Sequence, residues 1–208
     1  MQRLVAFGCS FTYGQGLSDC RIGNNWSEIA STPNKLAWPN VLGSMLDITV
    51  INKGVPGASN NEILFHILNF DFNDDDIIVI MWSMVNRDLY FLHNKKTKKP
   101  FRQLGLWSKG ESELANTWLK NVDNVDNSIK SWHYMHHANL YLKSKNLNYI
   151  HYPAFPDELE KFKPDYITLD NYFNSGFKTV DKCINDPHPG INSHIETAKI
   201  IYGILNDQ

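Results

Sequence analysis

The sequence lacks the features by which membrane-spanning, secreted and disulfide-stabilised proteins are recognised. None of its 208 residues belongs to an apolar run near the ~18 residues that a membrane helix needs. The first seven residues, MQRLVAF, are followed too soon by polar residues and glycine for a signal peptide. Cysteine occurs three times, and this odd number predicts reduced thiols. We therefore expect a cytoplasmic protein that does not bind membranes.

An excess of charge of either sign is also missing. Lys and Arg total 20 against 22 Asp and Glu, which gives a net charge of -2 at pH 7. Such a balance produces no positive field that would attract nucleic acid or anionic lipid. The one basic run, residues 95–99, is short and is interpreted as a solvated loop. The charge pattern predicts no nucleic-acid partner.

Motifs for cofactors and metals are absent as well. No Gly-Lys-Ser/Thr phosphate loop occurs, and residues 14–16 (GQG) lack the third glycine of a dinucleotide-binding turn. The cysteines do not have the spacing of a zinc site. His133 and His137 have metal-ligand spacing, but no carboxylate accompanies them, and we interpret them as exposed helix residues. The prediction is a protein without cofactor or metal.

Hydrophobic residues make up 42% of the chain, and they fall into short runs that predict alternating strands and helices. Continuous apolar runs predict buried strands at residues 4–7, 47–52, 76–82 and 148–152. Apolar residues at helical spacing predict helices at residues 36–45, 60–70, 112–145 (with a break near 123–124) and 192–205. This alternation is typical of an α/β fold whose mostly parallel sheet is covered on both faces.

The length fits a single domain over residues 1–208. Residues 89–131 are its least regular part, and we interpret them as an insertion or cap over one end of the sheet. The aromatic residues of this region either cover the sheet or line a sugar-binding cleft; those concerned are Phe91, Phe101, Trp107 and Trp118.

Ligands of parallel sheets gather at the carboxyl ends of the strands, so the residues after each strand are the candidates for chemistry. Residues 8–14, GCSFTYG, place Ser10 directly after the first strand and at the start of a helix. The free N–H groups of a helix N-terminus favour a developing negative charge. Ser10 is thus either a nucleophile or part of a turn and helix cap.

A second candidate segment precedes the last helix. Residues 185–190 read NDPHPG and place Asp186 two residues before His188 in a proline-containing turn. A serine hydroxyl becomes a nucleophile when an imidazole takes its proton, and the imidazole needs an acceptor that holds its tautomer. Asp186 and His188 supply this pair from one loop, or else form a rigid turn with an incidental histidine.

Together these segments resemble the SGNH (GDSL-like) hydrolase family, in the right order and over nearly the whole chain. Gly8, Ser10 and Gly14 are similar to its first block, Gly-Asp-Ser with a glycine four residues on. The other blocks resemble residues 38–42 (WPNVL), 52–59 (NKGVPGAS) and 186–190 (DPHPG, with His194 after it).

The resemblance implies a three-layer α/β/α sandwich, with a flavodoxin-like, mostly parallel sheet of about five strands. It also implies ester hydrolysis through an acyl-enzyme. Ser10 is the implied nucleophile, His188 the general base and Asp186 the acid that orients it. The oxyanion would receive hydrogen bonds from the backbone N–H groups of Ser10 and Gly57 and from an asparagine side chain.

The chain departs from the family most clearly in the third block, Gly-x-Asn-Asp. The segment after the third strand reads WSMVNRD, residues 82–88. An ungapped alignment places the family's asparagine on Met84, whereas a two-residue insertion places it on Asn86. We favour Asn86 as the oxyanion donor; Ser83, or no side-chain donor at all, are the alternatives.

Two smaller departures concern the first and last blocks. Cys9 replaces the usual aspartate of the first block, and we expect this small thiol to pack against its neighbours. The acid of the last block commonly lies three residues before the histidine, where this chain has Asn185. An asparagine cannot balance the charge of an imidazolium, so Asp186 is the expected acid.

The resulting hypothesis is an esterase that acts on a small or carbohydrate-linked acyl ester, such as an O-acetyl group. The family resemblance supports the reaction, and the aromatic residues of the insertion suggest the sugar. The alternative is a catalytically inactive carbohydrate-binding or assembly module with the same fold, suggested by the altered third block.

Overall fold

The computed structural model describes residues 1–18, 31–91 and 101–207. The basic run at residues 95–99 and Cys20 lie outside these ranges, as does the side chain of Phe91. The strands are β1 (Arg3–Gly8), β2 (Thr49–Gly54), β3 (Ile77–Trp82), β4 (Asp88–Phe91), β5 (Phe101–Leu104) and β6 (Asn148–Pro153). The helices are α1 (Ser10–Tyr13), α2 (Trp38–Leu46), α3 (Asn60–Leu68), α4 (Glu113–Asn121), α5 (Asn124–Ser144), α6 (Pro156–Glu160) and α7 (Ile191–Asn206).

The central sheet confirms the predicted α/β class. Its strands run in the order β2-β1-β3-β6, and every neighbouring pair is parallel. Helical crossovers join successive strands, which is the flavodoxin-like arrangement. About five strands were predicted, and the described residues form four. Beside β6, a single parallel bridge between His151 and Tyr172 stands where a further strand would pair.

The helices cover both faces of the sheet because the side chains of each buried strand alternate between the faces. Along β1, Val5 and Phe7 belong to one core cluster, and Leu4 and Ala6 belong to the other. The first cluster includes α3 and α5 residues (Ile63, Ile67, Trp132, Met135), and the second includes α2 and α7 residues (Trp38, Leu42, Ala198, Ile201). The result is the expected three-layer sandwich.

Helix boundaries follow the local signals closely. Ser59 caps α3 by accepting a hydrogen bond from the Glu62 N–H at 3.2 Å. The break expected near residues 123–124 separates α4 from α5.

Among the described helices, none is long and apolar enough to cross a membrane. His137 is exposed, and partly exposed His133 lies 3.1 Å from the Tyr166 hydroxyl.

The region expected to form an insertion contains a second, two-stranded sheet. Strands β4 and β5 pair antiparallel, and a 3-10 turn at Leu106–Ser108 connects them to α4. Its predicted end at residue 131 falls inside α5, which packs on α3 in the main domain. Helix α5 therefore begins at Asn124, inside the range expected for the insertion.

Two buried histidines in the main domain are predicted to make stability depend on pH. Burial lowers the pKa of His151 to about 3 and that of His194 to about 4. Each Nδ1 accepts a hydrogen bond, from the Trp82 indole at 3.0 Å and from the Trp38 backbone N–H at 3.1 Å. The unfolded chain binds protons at these sites below about pH 6.5, whereas the folded chain does not. Stability should therefore fall as the pH is lowered.

The measurement is the melting temperature between about pH 7 and pH 5. His151→Asn and His194→Asn should each reduce its slope against pH, since each removes one such proton-binding site. His137→Asn, at an exposed position of α5, is the matched control and should leave the slope unchanged. Equal slopes in all four proteins would contradict the prediction.

Candidate active site

The loops after β1, β2 and β3, which bear the predicted oxyanion donors Ser10, Gly57 and Asn86, meet at the carboxyl end of the sheet. Because β1 lies between β2 and β3, the loop carrying Ser10 lies between the other two. The N–H of Val55 donates to the carbonyl of Gly8 at 2.9 Å and joins the first two loops. Asn60 joins the second loop to the third, since its amide oxygen accepts from the Ser83 N–H at 2.7 Å.

Ser10 occupies a tight junction between strand and helix. It is the first residue of α1, and only 2% of its surface is exposed. A Cβ atom at Gly8 would lie 2.9 Å from the Met81 carbonyl oxygen, so only glycine permits this close approach. Cys9 is fully buried in the core, as predicted. Within the described ranges, the Ser10 N–H has no hydrogen-bond acceptor.

The C-terminal loop brings Asp186 and His188 into direct contact. His188 Nδ1 lies 2.5 Å from Asp186 Oδ1, and the same oxygen accepts from the His188 backbone N–H at 2.9 Å. Asn185 adopts the left-handed conformation (φ 57°) at the turn. Thus the aspartate two residues before the histidine reaches the ring. The His188 side chain is 17% exposed, against 4% for Asp186, so the ring is the accessible member of the pair.

His188 lies over the helix that begins with Ser10. Its ring centroid is 6.1 Å from that of Phe11, the next residue in α1. In the part of the chain that the structure describes, no hydrogen bond joins Ser10 to His188. Long or unformed catalytic hydrogen bonds are common in proteins without bound substrate.

Gly57 lies in a turn that the two-stranded insertion holds in place. Its φ of 78° is in the left-handed region that favours glycine. Gln103 of β5 donates from Nε2 to the Pro56 carbonyl at 3.1 Å and to buried Glu62 Oε2 at 2.8 Å. A Cβ atom on Gly57 would be 3.2 Å from the Trp107 ring. The insertion therefore touches the second block directly.

Ser83 and Asn86, the two candidate oxyanion donors after β3, lie in different surroundings. Ser83 is buried, and its hydroxyl accepts from Arg87 Nη1 at 2.9 Å. Asn86 is partly exposed and lines a surface hollow together with Leu106 and residues 120–124. Sequence reasoning missed both Arg87 and Gln103, because no local pattern distinguishes a polar residue that contacts a distant turn from a solvated one.

The aromatic residues of the insertion do not share one location. Phe101 packs edge-on against Phe65 of α3, with ring centroids 5.8 Å apart. Trp118 belongs to α4, whereas Trp107, which is 45% exposed, lies against the Gly57 turn. Phe101 thus covers α3, and Trp107 lies beside the Gly57 turn.

No protein-family model and no curated protein sequence matches the chain, whereas solved structures do. A protein assigned to the lipolytic G-D-S-L family, from Desulfitobacterium hafniense DCB-2, is 12% identical with a TM-score of 0.52, over 97% of this chain and 98% of that one. A carbohydrate esterase, whose active site displays divergent catalytic and non-catalytic binding functions, is 14% identical with a TM-score of 0.62, over 100% and 69%. The acetyl xylan esterase Est2A from the rumen bacterium Butyrivibrio proteoclasticus is 12% identical with a TM-score of 0.57, over 99% and 64%.

At identities this low, the structural matches establish a shared fold and nothing further. The chain has the three-layer α/β/α fold of the SGNH hydrolases, as its motif order predicted. It spans about two thirds of the two carbohydrate esterases. Activity has to be argued from the residues at the site.

Proposed function

We propose that this protein is a serine ester hydrolase with Ser10 as nucleophile, His188 as base and Asp186 as the residue that orients the base. The observation that carries the proposal is the 2.5 Å contact between Asp186 Oδ1 and His188 Nδ1, beside the helix that begins with Ser10. A buried carboxylate that accepts from Nδ1 leaves Nε2 as the proton acceptor of the ring. This is the protonation state a general base requires.

The reaction would proceed through an acyl-enzyme. His188 Nε2 takes the Ser10 proton as Oγ attacks the ester carbonyl, and Asp186 stabilises the resulting imidazolium. The imidazolium then gives its proton to the leaving alcohol. Water, activated by the same nitrogen, releases the acyl group and restores the serine.

The oxyanion would be bound by the backbone N–H groups of Ser10 and Gly57. In the described part of the chain, neither N–H has an acceptor. We propose Asn86, in the segment after β3, as the third donor, with Ser83 as the alternative. Loss of one such donor typically lowers the rate about 100- to 1,000-fold.

Gln103 is predicted to support this turn from the insertion. Gln103→Ala removes the donors to Pro56 and Glu62. Since a displaced Gly57 N–H stabilises the transition state poorly, kcat should fall about 10-fold while KM changes little. Steady-state kinetics on an ester substrate measure both constants. Arg102→Ala, an exposed neighbour in β5 paired with Glu111, should behave as wild type. An unchanged kcat in Gln103→Ala would show that the contact does not position the turn.

The proposed substrate is a small or carbohydrate-linked acyl ester, of which an O-acetyl ester is the simplest example. Two structures that share the fold support this, since one is an acetyl xylan esterase and the other a carbohydrate esterase. Exposed Trp107 beside the Gly57 turn offers one face on which a sugar ring could stack.

A non-catalytic carbohydrate-binding module with this fold is the second candidate. The unformed hydrogen bond between Ser10 and His188 favours it, and so does the altered third block. One structurally similar esterase combines catalytic and non-catalytic binding functions in its active site. The test is hydrolysis of p-nitrophenyl acetate and butyrate by wild type and Ser10→Ala. Enzymatic turnover that depends on Ser10 supports the esterase, and equal background rates favour the binding module.

A further inference from the structure

Arg87 differs from the other arginines that the structure describes. Arg3 pairs with Asp76 at 2.6 Å, and Arg102 pairs with Glu111 at 3.0 Å. Arg87 has no carboxylate within ion-pair distance among the described residues, although it is partly buried. Removing a guanidinium from water costs free energy unless an anion pairs with it.

The contacts of Arg87 hold its side chain in place without neutralising it. Nη1 donates to Ser83 Oγ at 2.9 Å and to the Ala58 carbonyl at 3.4 Å. The guanidinium carbon lies 5.3 Å from the centre of the Trp107 ring, and Nη2 lies 3.8 Å from Met84 Sδ. These contacts fix the orientation of the guanidinium. Because the partners are all uncharged, they leave its positive charge without a counter-ion.

This charge lies at the proposed active site. Arg87 connects the loop after β3, through Ser83, to the loop after β2, through Ala58. Strand β1, which ends immediately before Ser10, lies between β2 and β3. Trp107, beneath the guanidinium, also contacts the turn of Gly57. The cation therefore lies beside the turn whose N–H is the proposed oxyanion donor.

We propose that Arg87 binds a negatively charged oxygen of the ester substrate, and the proposal rests on the esterase function argued above. The planar guanidinium donates several N–H groups in a fixed fork and remains charged at all physiological pH values, which suits it to carboxylates and oxyanions. The oxygen comes either from an anionic substituent of the substrate or from the carbonyl oxygen as it becomes negative during attack. The two sources share one recognition chemistry and differ in the stage at which the charge is present.

The experiment compares a neutral with an anionic acetyl ester of nearly equal shape, 4-acetoxybenzamide and 4-acetoxybenzoate. Phenol release is followed for wild type, Arg87→Gln and Arg87→Lys, with Arg102→Gln as the control that removes an exposed arginine near the site. If Arg87 binds a substituent, Arg87→Gln raises KM for the benzoate about 10-fold or more and leaves the benzamide unaffected. If it binds the oxyanion, Arg87→Gln lowers kcat for both esters about 100-fold.

Changes in Arg87→Gln no larger than those in Arg102→Gln overturn the proposal. Thermal melting reports whether Arg87→Gln is folded; if it is not, Arg87→Lys replaces it, because lysine keeps the charge and loses the fork. A partial loss of the same kind in Arg87→Lys supports the proposal, and wild-type kinetics overturn it.

A wild type that hydrolyses neither ester contradicts the proposed function and leaves Arg87 open to a separate measurement. Benzoate and benzamide are then titrated against wild type and Arg87→Gln by calorimetry. Preferential binding of benzoate that Arg87→Gln weakens about 10-fold supports an anion site at Arg87. Equal binding in both proteins, or no binding, overturns it.

Discussion

Ser10→Ala is expected to lower the hydrolysis of p-nitrophenyl acetate at least about 1,000-fold, to the rate that remains without a nucleophile. The buried serines of the loops after β2 and β3 already accept hydrogen bonds, Ser59 from the Glu62 N–H and Ser83 from Arg87, so we expect neither hydroxyl to take the place of Ser10. Turnover is measured by nitrophenolate release at several enzyme concentrations. The ratio of acetate to butyrate turnover in wild type then indicates the size of the acyl pocket.

Ser44→Ala provides the matched control for this substitution. Ser44 is exposed on α2, and its hydroxyl donates to the Asn40 carbonyl of the same helix at 2.9 Å. It should retain wild-type turnover and melting temperature. Substantial turnover without Ser10 would contradict the assignment of the nucleophile and would favour the binding-module function.

Asp186→Asn is expected to lower kcat about 1,000- to 10,000-fold while the protein remains folded. The carboxylate holds His188 by two hydrogen bonds, to the ring Nδ1 and to the backbone N–H. An amide of the same shape keeps the packing but can present its NH₂ group to Nδ1. That arrangement favours the tautomer whose Nε2 carries the proton, so the ring can no longer act as a base.

Asn185→Asp, alone and combined with Asp186→Asn, tests the position of the acid. It introduces the carboxylate at the spacing usual in the SGNH family, three residues before His188. Since Asn185 has a left-handed backbone conformation and no hydrogen bond to the imidazole in the described structure, we expect no rescue in the double variant. Recovery of activity there, or more than a tenth of wild-type activity in Asp186→Asn, would show that Asp186 is not the required acid.

The sequence was sufficient for those features that depend on short-range patterns. The four strands of the central sheet and the helices between them were predicted to within a few residues, because apolar periodicity reflects packing against a core. The break before Asn124 was likewise predicted from the local pattern. The burial predicted for the second strand was wrong, since β2 is a partly exposed edge strand. Motif order supplied the fold and located Ser10, Gly57, Asp186 and His188 at the ends of elements that a parallel sheet brings to one edge.

Only the tertiary structure decided which polar side chains contact these loops. Gln103 reaches Pro56 across 47 positions of sequence, and Arg87 reaches Ala58 across 29. Neither contact follows from a motif, because each joins segments that are far apart in the sequence. Asp186, and not Asn185, contacts His188 in the described structure, where Asn185 has a left-handed backbone conformation. Local pattern thus determined the scaffold and the candidate triad. The contacts around the Gly57 turn depend on long-range packing, which periodicity does not encode.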